Sequence, residues 1–189
     1  EKLEAGIPQA AAALANTPAA FDLAARAIMT TDTVPKQATR SAELRGANGT
    51  KTVRISGACK GAAMIAPNMA TMLCTIMTDV ELTPTEADSA LRASVNQSFN
   101  CISVEGHTST SDTVLLLANG ASGTGPLDAD SRAKFQTMLD EVCTDLSTAI
   151  IRDAEGATHF ITIDVIGART RDEAFRIAKT IADSPLNKT

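Results

Sequence analysis

The chain has 189 residues, enough for one sizeable core, with 44% hydrophobic and 21% charged residues. Only 3% are aromatic, with no Trp or Tyr, which leaves almost nothing for stacking on nucleic-acid bases. A net charge of −5 and a pI near 5.0 argue against a polyanionic partner, and no apolar run reaches membrane-spanning length.

The core must therefore be built from Ala, Leu, Ile, Val and Met. No signal-peptide pattern opens the sequence. Cys59, Cys74, Cys101 and Cys143 lie far apart without a CxxC pairing, and three of them fall in segments expected to be core. Reduced thiols in a cytoplasmic compartment are the expectation. Zinc ligation would need His107 or His159 to join them, and no metal site is expected.

Residues 1–15 read as helix, divided or restarted at Pro8. Thr17-Pro18 pairs a capping residue with proline at the first helical position and predicts a helix through about Met29. Thr30-Thr31-Asp32-Thr33 is a polar knot whose hydroxyls and carboxylate suit a helix stop. Lys36–Leu44 and Lys51–Ser56 read as the arms of a hairpin turning at Asn48-Gly49, with Val53 and Ile55 on the buried face.

Thr83-Pro84-Thr85-Glu86 is a capping box with proline at its first helical position and predicts a helix to about Phe99. A short strand Cys101–Glu105, a hydroxyl-rich loop 106–112 and a strand Thr113–Ala118 buried on both faces are expected next. His107 reads as a solvated loop residue, and Asp112 as an organiser of the hydroxyls around it. The glycines of 119–126 match neither a dinucleotide fingerprint nor a P-loop. Asp128 or Asp130 then caps a helix whose stripe Phe135, Met138, Leu139, Val142, Cys143, Leu146 and Ile150 reads as core packing. A strand His159–Gly167 and an amphipathic helix Arg171–Ala182 complete the order. Hairpins mixed with helices predict an α/β architecture, with mixed, layered sheets flanked by helices. Glu155, between the long helix and the last strand, is a surface residue by default.

The stretch Gly57–Cys74 stands apart. Gly57 and Gly61 permit positive φ, Lys60 is its one charge, Pro67-Asn68 reads as a turn, and Thr71–Thr78 has the content of a buried strand. Its plain reading is a glycine-flanked loop leading into a core strand. A second reading starts from Thr71 following the small Ala70. A hydroxyl there could attack its own preceding carbonyl, cut the chain, and leave a new α-amine beside the same hydroxyl. An α-amine titrates near about 8 and can act as a general base.

The run Lys60-Gly61 through Met64-Ile65-Ala66-Pro67-Asn68-Met69-Ala70-Thr71-Met72-Leu73 resembles the self-cleavage motif of the ornithine acetyltransferase (glutamate N-acetyltransferase) family of arginine biosynthesis. Ala27–Thr33, Ser103-Val104 with Thr108–Asp112, and Ser184-Pro185-Leu186 fit the same family in order. The likeness spans essentially the whole chain. His107 departs from it, since the family pattern has an acidic residue nearby.

The resemblance implies a self-processing fold with an N-terminal threonine nucleophile, distinct in topology from true N-terminal nucleophile hydrolases. It implies autocleavage at Ala70–Thr71, with residues 1–70 ending one subunit and 71–189 opening the other, as an αβ heterodimer assembling further. Thr71 would carry an acetyl group from N-acetylornithine to glutamate, and Thr33, Lys60, Thr71 and Glu155 would contact substrate. No cofactor is implied, although acetyl-CoA serves some members as acetyl donor. The oxyanion hole would come from a segment before residue 1, so 1–189 is expected to be a single catalytic-core portion. The alternatives are a self-cleaving hydrolase or aminopeptidase of the same fold, or an inactive portion lacking the oxyanion hole.

Overall fold

The computed structural model describes residues 2–62, 72–104 and 111–187. Ala70, Thr71, the Pro67-Asn68 turn and the 105–110 loop with His107 lie outside the described residues.

Helix α1 (Lys2–Ala12) is fully exposed and runs through Pro8 without the expected division. Helix α2 (Pro18–Ala27) starts where Thr17 accepts the Ala20 amide at 3.1 Å and stops with Ile28 as its C-cap. Strands β1 (Lys36–Gly46) and β2 (Gly49–Lys60) form the hairpin, and β3 (Leu73–Thr78) continues it antiparallel. Strand β4 (Thr113–Ala118) joins the far edge parallel to β3 after a crossover through α3 (Pro84–Asn96). The result is a mixed four-stranded sheet in the order β1-β2-β3-β4.

The long helix α4 (Ala129–Arg152), capped by Asp128, lies across β1 and β2, and α3 packs on α4 and β4. The expected α4 stripe is buried together with Leu44, Val53, Ile55, Cys59, Cys74 and Ile76 from the sheet. Helix α5 (Arg171–Asp183) begins at its Thr170 cap and is held by Lys179 donating to the Ile102 carbonyl at 2.8 Å.

Several expectations are corrected. The hairpin turns on Ala47-Asn48, since Gly46 pairs with Gly49. The Thr124 and Pro126 carbonyls accept the Asn48 and Ala47 amides at 2.9 and 3.0 Å and hold the turn there. Strand β2 also continues through Gly57-Ala58-Cys59-Lys60, which reads as loop in the sequence. Gly57 supplies room there rather than positive φ: a Cβ on it would lie 2.8 Å from Leu146 Cδ1 and 3.2 Å from Val142 Cγ1. Helix α4 thus packs directly on the β2 backbone.

Strand β4 is not buried on both faces. Leu115 and Leu117, on the face opposite α4, are about half exposed, since α2 packs against β1 and β2 rather than over β4. The start of the expected Cys101–Glu105 strand is a 3-10 turn, Phe99–Cys101, and residues 102–104 join no sheet. Residues 159–167 likewise form no strand, since no described strand lies alongside to pair their backbone groups. Residues 160–165 instead line a cleft with Ala174, Phe175 and Ala178 of α5.

Candidate active site

The site is assembled where the segment after α2, the end of β2 and the end of α4 meet. Lys36 opens β1 on the core side, opposite Cys59, and its side chain is wholly buried. Its ammonium lies 2.6 Å from Asp32 Oδ1 and 2.6 Å from Asp153 Oδ2. Asp153 is the C-cap of α4, the end at which the helix dipole disfavours a carboxylate. The lysine supplies the opposing charge.

Each carboxylate also accepts from the backbone. Asp32 takes the Gly61 amide at 2.7 Å and the Thr30 amide at 3.1 Å. Asp153 takes the Thr33 amide at 3.0 Å and the Thr33 hydroxyl in a short contact. Burial pushes both carboxyl groups up, but Lys36 together with these donors outweighs it and holds both below the ordinary carboxylate range. Both carboxyl groups are therefore ionised at neutral pH.

Lys60 ends β2 with 7% of its surface exposed. Its Nζ lies 3.4 Å from Thr30 Oγ1, and among the described residues no carboxylate comes within 4 Å of it. A buried ammonium without a counter-ion is unfavourable unless a ligand provides one. Glu155 is exposed on the turn after α4, and its amide donates to the Ala62 carbonyl at 2.8 Å. That bond ties the glutamate to the turn directly after Lys60.

On the other side of Gly61 lies Met72. A Cβ on Gly61, whose φ is +150°, would sit 3.6 Å from Met72 Cβ. The Met72 amide donates to Asp112 at 2.9 Å, and the Met72 carbonyl accepts the Thr113 amide at 2.9 Å. Asp112 thus anchors the backbone at Met72. Thr71, which precedes Met72 in the sequence, lies outside the described residues.

The structure brings Thr33, Lys60 and Glu155 into one network, and the sequence reading missed what joins them: Asp32, Lys36 and Asp153. Two signals could have found the trio. Lys36 is a charge at the start of a strand whose inward positions continue Ala38, Arg40, Ala42 and Leu44, of which only Arg40 is also charged and that one half-exposed, and Asp153 carries the wrong sign for a helix C-terminus. The cysteines offer no competing nucleophile in the core. Burial pushes the Cys59 and Cys143 thiols up to about 12 and raises Cys74 as well, so all three stay protonated near neutrality. Among the described residues, no three His, Cys, Asp or Glu side chains group to hold a metal ion.

A family model for ArgJ matches residues 1–189. The chain belongs to the ArgJ family. It is 47% identical over 191 aligned residues to the mitochondrial arginine biosynthesis bifunctional protein ArgJ of Neurospora crassa, covering all of this chain and 40% of that protein. It is 46% identical to the ArgJ protein of Methylococcus capsulatus, covering 45% of it, and 44% identical to the mitochondrial one of Dictyostelium discoideum, covering 42%. The chain thus spans less than half the length of these ArgJ relatives. The crystal structure of arginine biosynthesis bifunctional protein ArgJ from Bacillus halodurans superposes with a TM-score of 0.58 at 37% identity, over 65% of this chain and 57% of that one. The α/β fold with its mixed, helix-flanked sheet is thus an ArgJ fold.

Proposed function

We propose that the chain carries the acyl-transfer centre of an arginine-biosynthesis enzyme, with Thr71 as nucleophile. The carrying observation is that the Asp32–Lys36–Asp153 cluster holds both the Thr33 amide and the amide of Gly61 next to Lys60, while the Glu155 amide is bonded to Ala62 and Met72 lies against Gly61. In the first step Thr71 Oγ attacks the Ala70 carbonyl, the peptide becomes an ester, and water releases Ala70 as a carboxylate. Thr71 then carries a free α-amine beside its own hydroxyl. In turnover the hydroxyl attacks the acetyl carbonyl of N-acetylornithine while the α-amine takes its proton. The proton passes to the departing ornithine amine, leaving an acetyl ester on Thr71. The glutamate amine attacks that ester, restores the hydroxyl, and leaves as N-acetylglutamate.

Lys60 suits a substrate carboxylate, and its lack of a described counter-ion supports that role. Glu155, exposed and bonded through its amide to Ala62, suits a substrate ammonium group, and Thr33 offers a hydroxyl on the segment that leads into β1. Residues 1–70 would close one subunit of a heterodimer and residues 71–189 would open the other. Acetyl-CoA as a second donor, and a cytoplasmic location, remain part of the proposal; two of the relatives above are named as mitochondrial.

The test is to supply the protein, as expressed from its own gene, with N-acetylornithine labelled in the acetyl group plus glutamate. The reading expects label in N-acetylglutamate, in amounts that Thr71→Ala abolishes. Label released only as free acetate would replace transfer by hydrolysis, and label left in the donor would refute both.

A further inference from the structure

Lys36 has the geometry of a part that holds other parts. Its side chain is wholly buried, so it touches no solvent and, from its place on the core side of β1, offers no contact to a ligand at the exposed Thr33 or Glu155. Burying an ion group such as this is seldom the most stable choice, since a well-packed apolar set of similar volume is often neutral or better. What the ion group provides here is connection. Through Asp32 it reaches the Gly61 amide, and through Asp153 it reaches the Thr33 amide and hydroxyl. Asp153 in turn lies two residues before Glu155, whose amide is bonded to Ala62.

We propose that Lys36 is a positioning residue that locks Thr33, the Lys60–Ala62 turn and Glu155 in one frame by bridging Asp32 and Asp153. The proposal rests on the reading of Thr33, Lys60 and Glu155 as substrate contacts. It adds that their mutual spacing is set by a charge none of them carries. Removing either carboxylate should therefore disturb backbone bonds made by the other.

Asp153→Asn decides it, because Asp153 makes no bond to Gly61. Amide hydrogen exchange on the folded protein should show both Thr33 and Gly61 exchanging about tenfold faster or more than in the parent, within the range usual for coupled sites. In steady-state transfer the same variant should raise KM for N-acetylornithine and for glutamate by about tenfold or more, with kcat within about threefold. Faster exchange at Thr33 with Gly61 unchanged would overturn the proposal, as would a fall in kcat at constant KM. If Asp153→Asn does not fold, Thr33→Val removes only one hydroxyl at an exposed position and reads the same coupling at Gly61. A parent protein that transfers no acetyl group refutes the proposed function alone, and the exchange measurement still decides the positioning role.

Discussion

Replacing Lys36 with methionine gives the sharpest test of the buried cluster. The side chain keeps its approximate length and loses its charge, leaving Asp32 and Asp153 facing each other with exposures of 0% and 7%. Breaking a buried ion pair by removing one partner typically destabilises by about 3–5 kcal/mol. At about 2–4 °C per kcal/mol for a chain of this size, the melting temperature near neutral pH should fall by about 6–20 °C. The pH dependence carries a second signature. In the parent both carboxyl groups sit below their ordinary range, so their contribution is fully present above the unfolded carboxyl pKa. It is lost as pH falls through the lower folded values. Without Lys36, burial pushes the two groups up instead, and acidification then relieves the variant by protonating them. The gap between parent and variant should accordingly be widest near neutrality and narrow toward about pH 4. Calorimetric melts across that range measure it. A gap below about 1 kcal/mol, or one that does not change with pH, would refute the reasoning.

Gly57→Ala should destabilise by about 1–3 kcal/mol, because its Cβ meets Leu146 Cδ1 at 2.8 Å under a close-packed helix. Unchanged denaturant midpoints would show that α4 does not press on β2. Leu146→Ala, at a side chain with 0% exposure, should lower stability by about 2–5 kcal/mol in the same unfolding assay. A loss well under 1 kcal/mol would contradict the packing described. A thiol reagent on the native protein should modify the exposed Cys101 and spare Cys59, Cys74 and Cys143, all four reacting only after unfolding. Rapid native labelling of a buried cysteine would show that the core is open where it is described as closed.

The elements legible in the sequence were those decided locally. Helix α3 was readable because Thr83, Pro84 and Glu86 carry the complete capping box, with Thr83 and Glu86 bonding each other's backbone amides. The face of α4 was readable because its apolar stripe recurs over 24 residues. What depended on distant partners was not. A strand at 159–167 has the right alternation, but a strand also needs a neighbour, and alternation does not say whether one is present. The extension of β2 through Gly57 was hidden because small residues in a strand make sense only once α4 is laid over them. At the site, Asp32 was half understood. Its bond to the Thr30 amide is the local helix-stop contact expected of it, while its bonds to Gly61 and Lys36 depend on the folded sheet. Thr33, Lys60 and Glu155 were named through resemblance to a family motif, and the ion cluster joining them spans three segments that no motif connects.

The most direct test of the central role given to Thr71 is an intact mass under denaturing conditions, before and after incubation with N-acetylornithine. The account predicts two pieces in place of one unbroken chain, meeting at Ala70/Thr71, the second beginning with threonine. It also predicts that only the piece beginning at Thr71 gains one acetyl group, which added glutamate removes. A single uncut chain that takes up no acetyl group, from a protein active in transfer, would contradict Thr71 as the nucleophile.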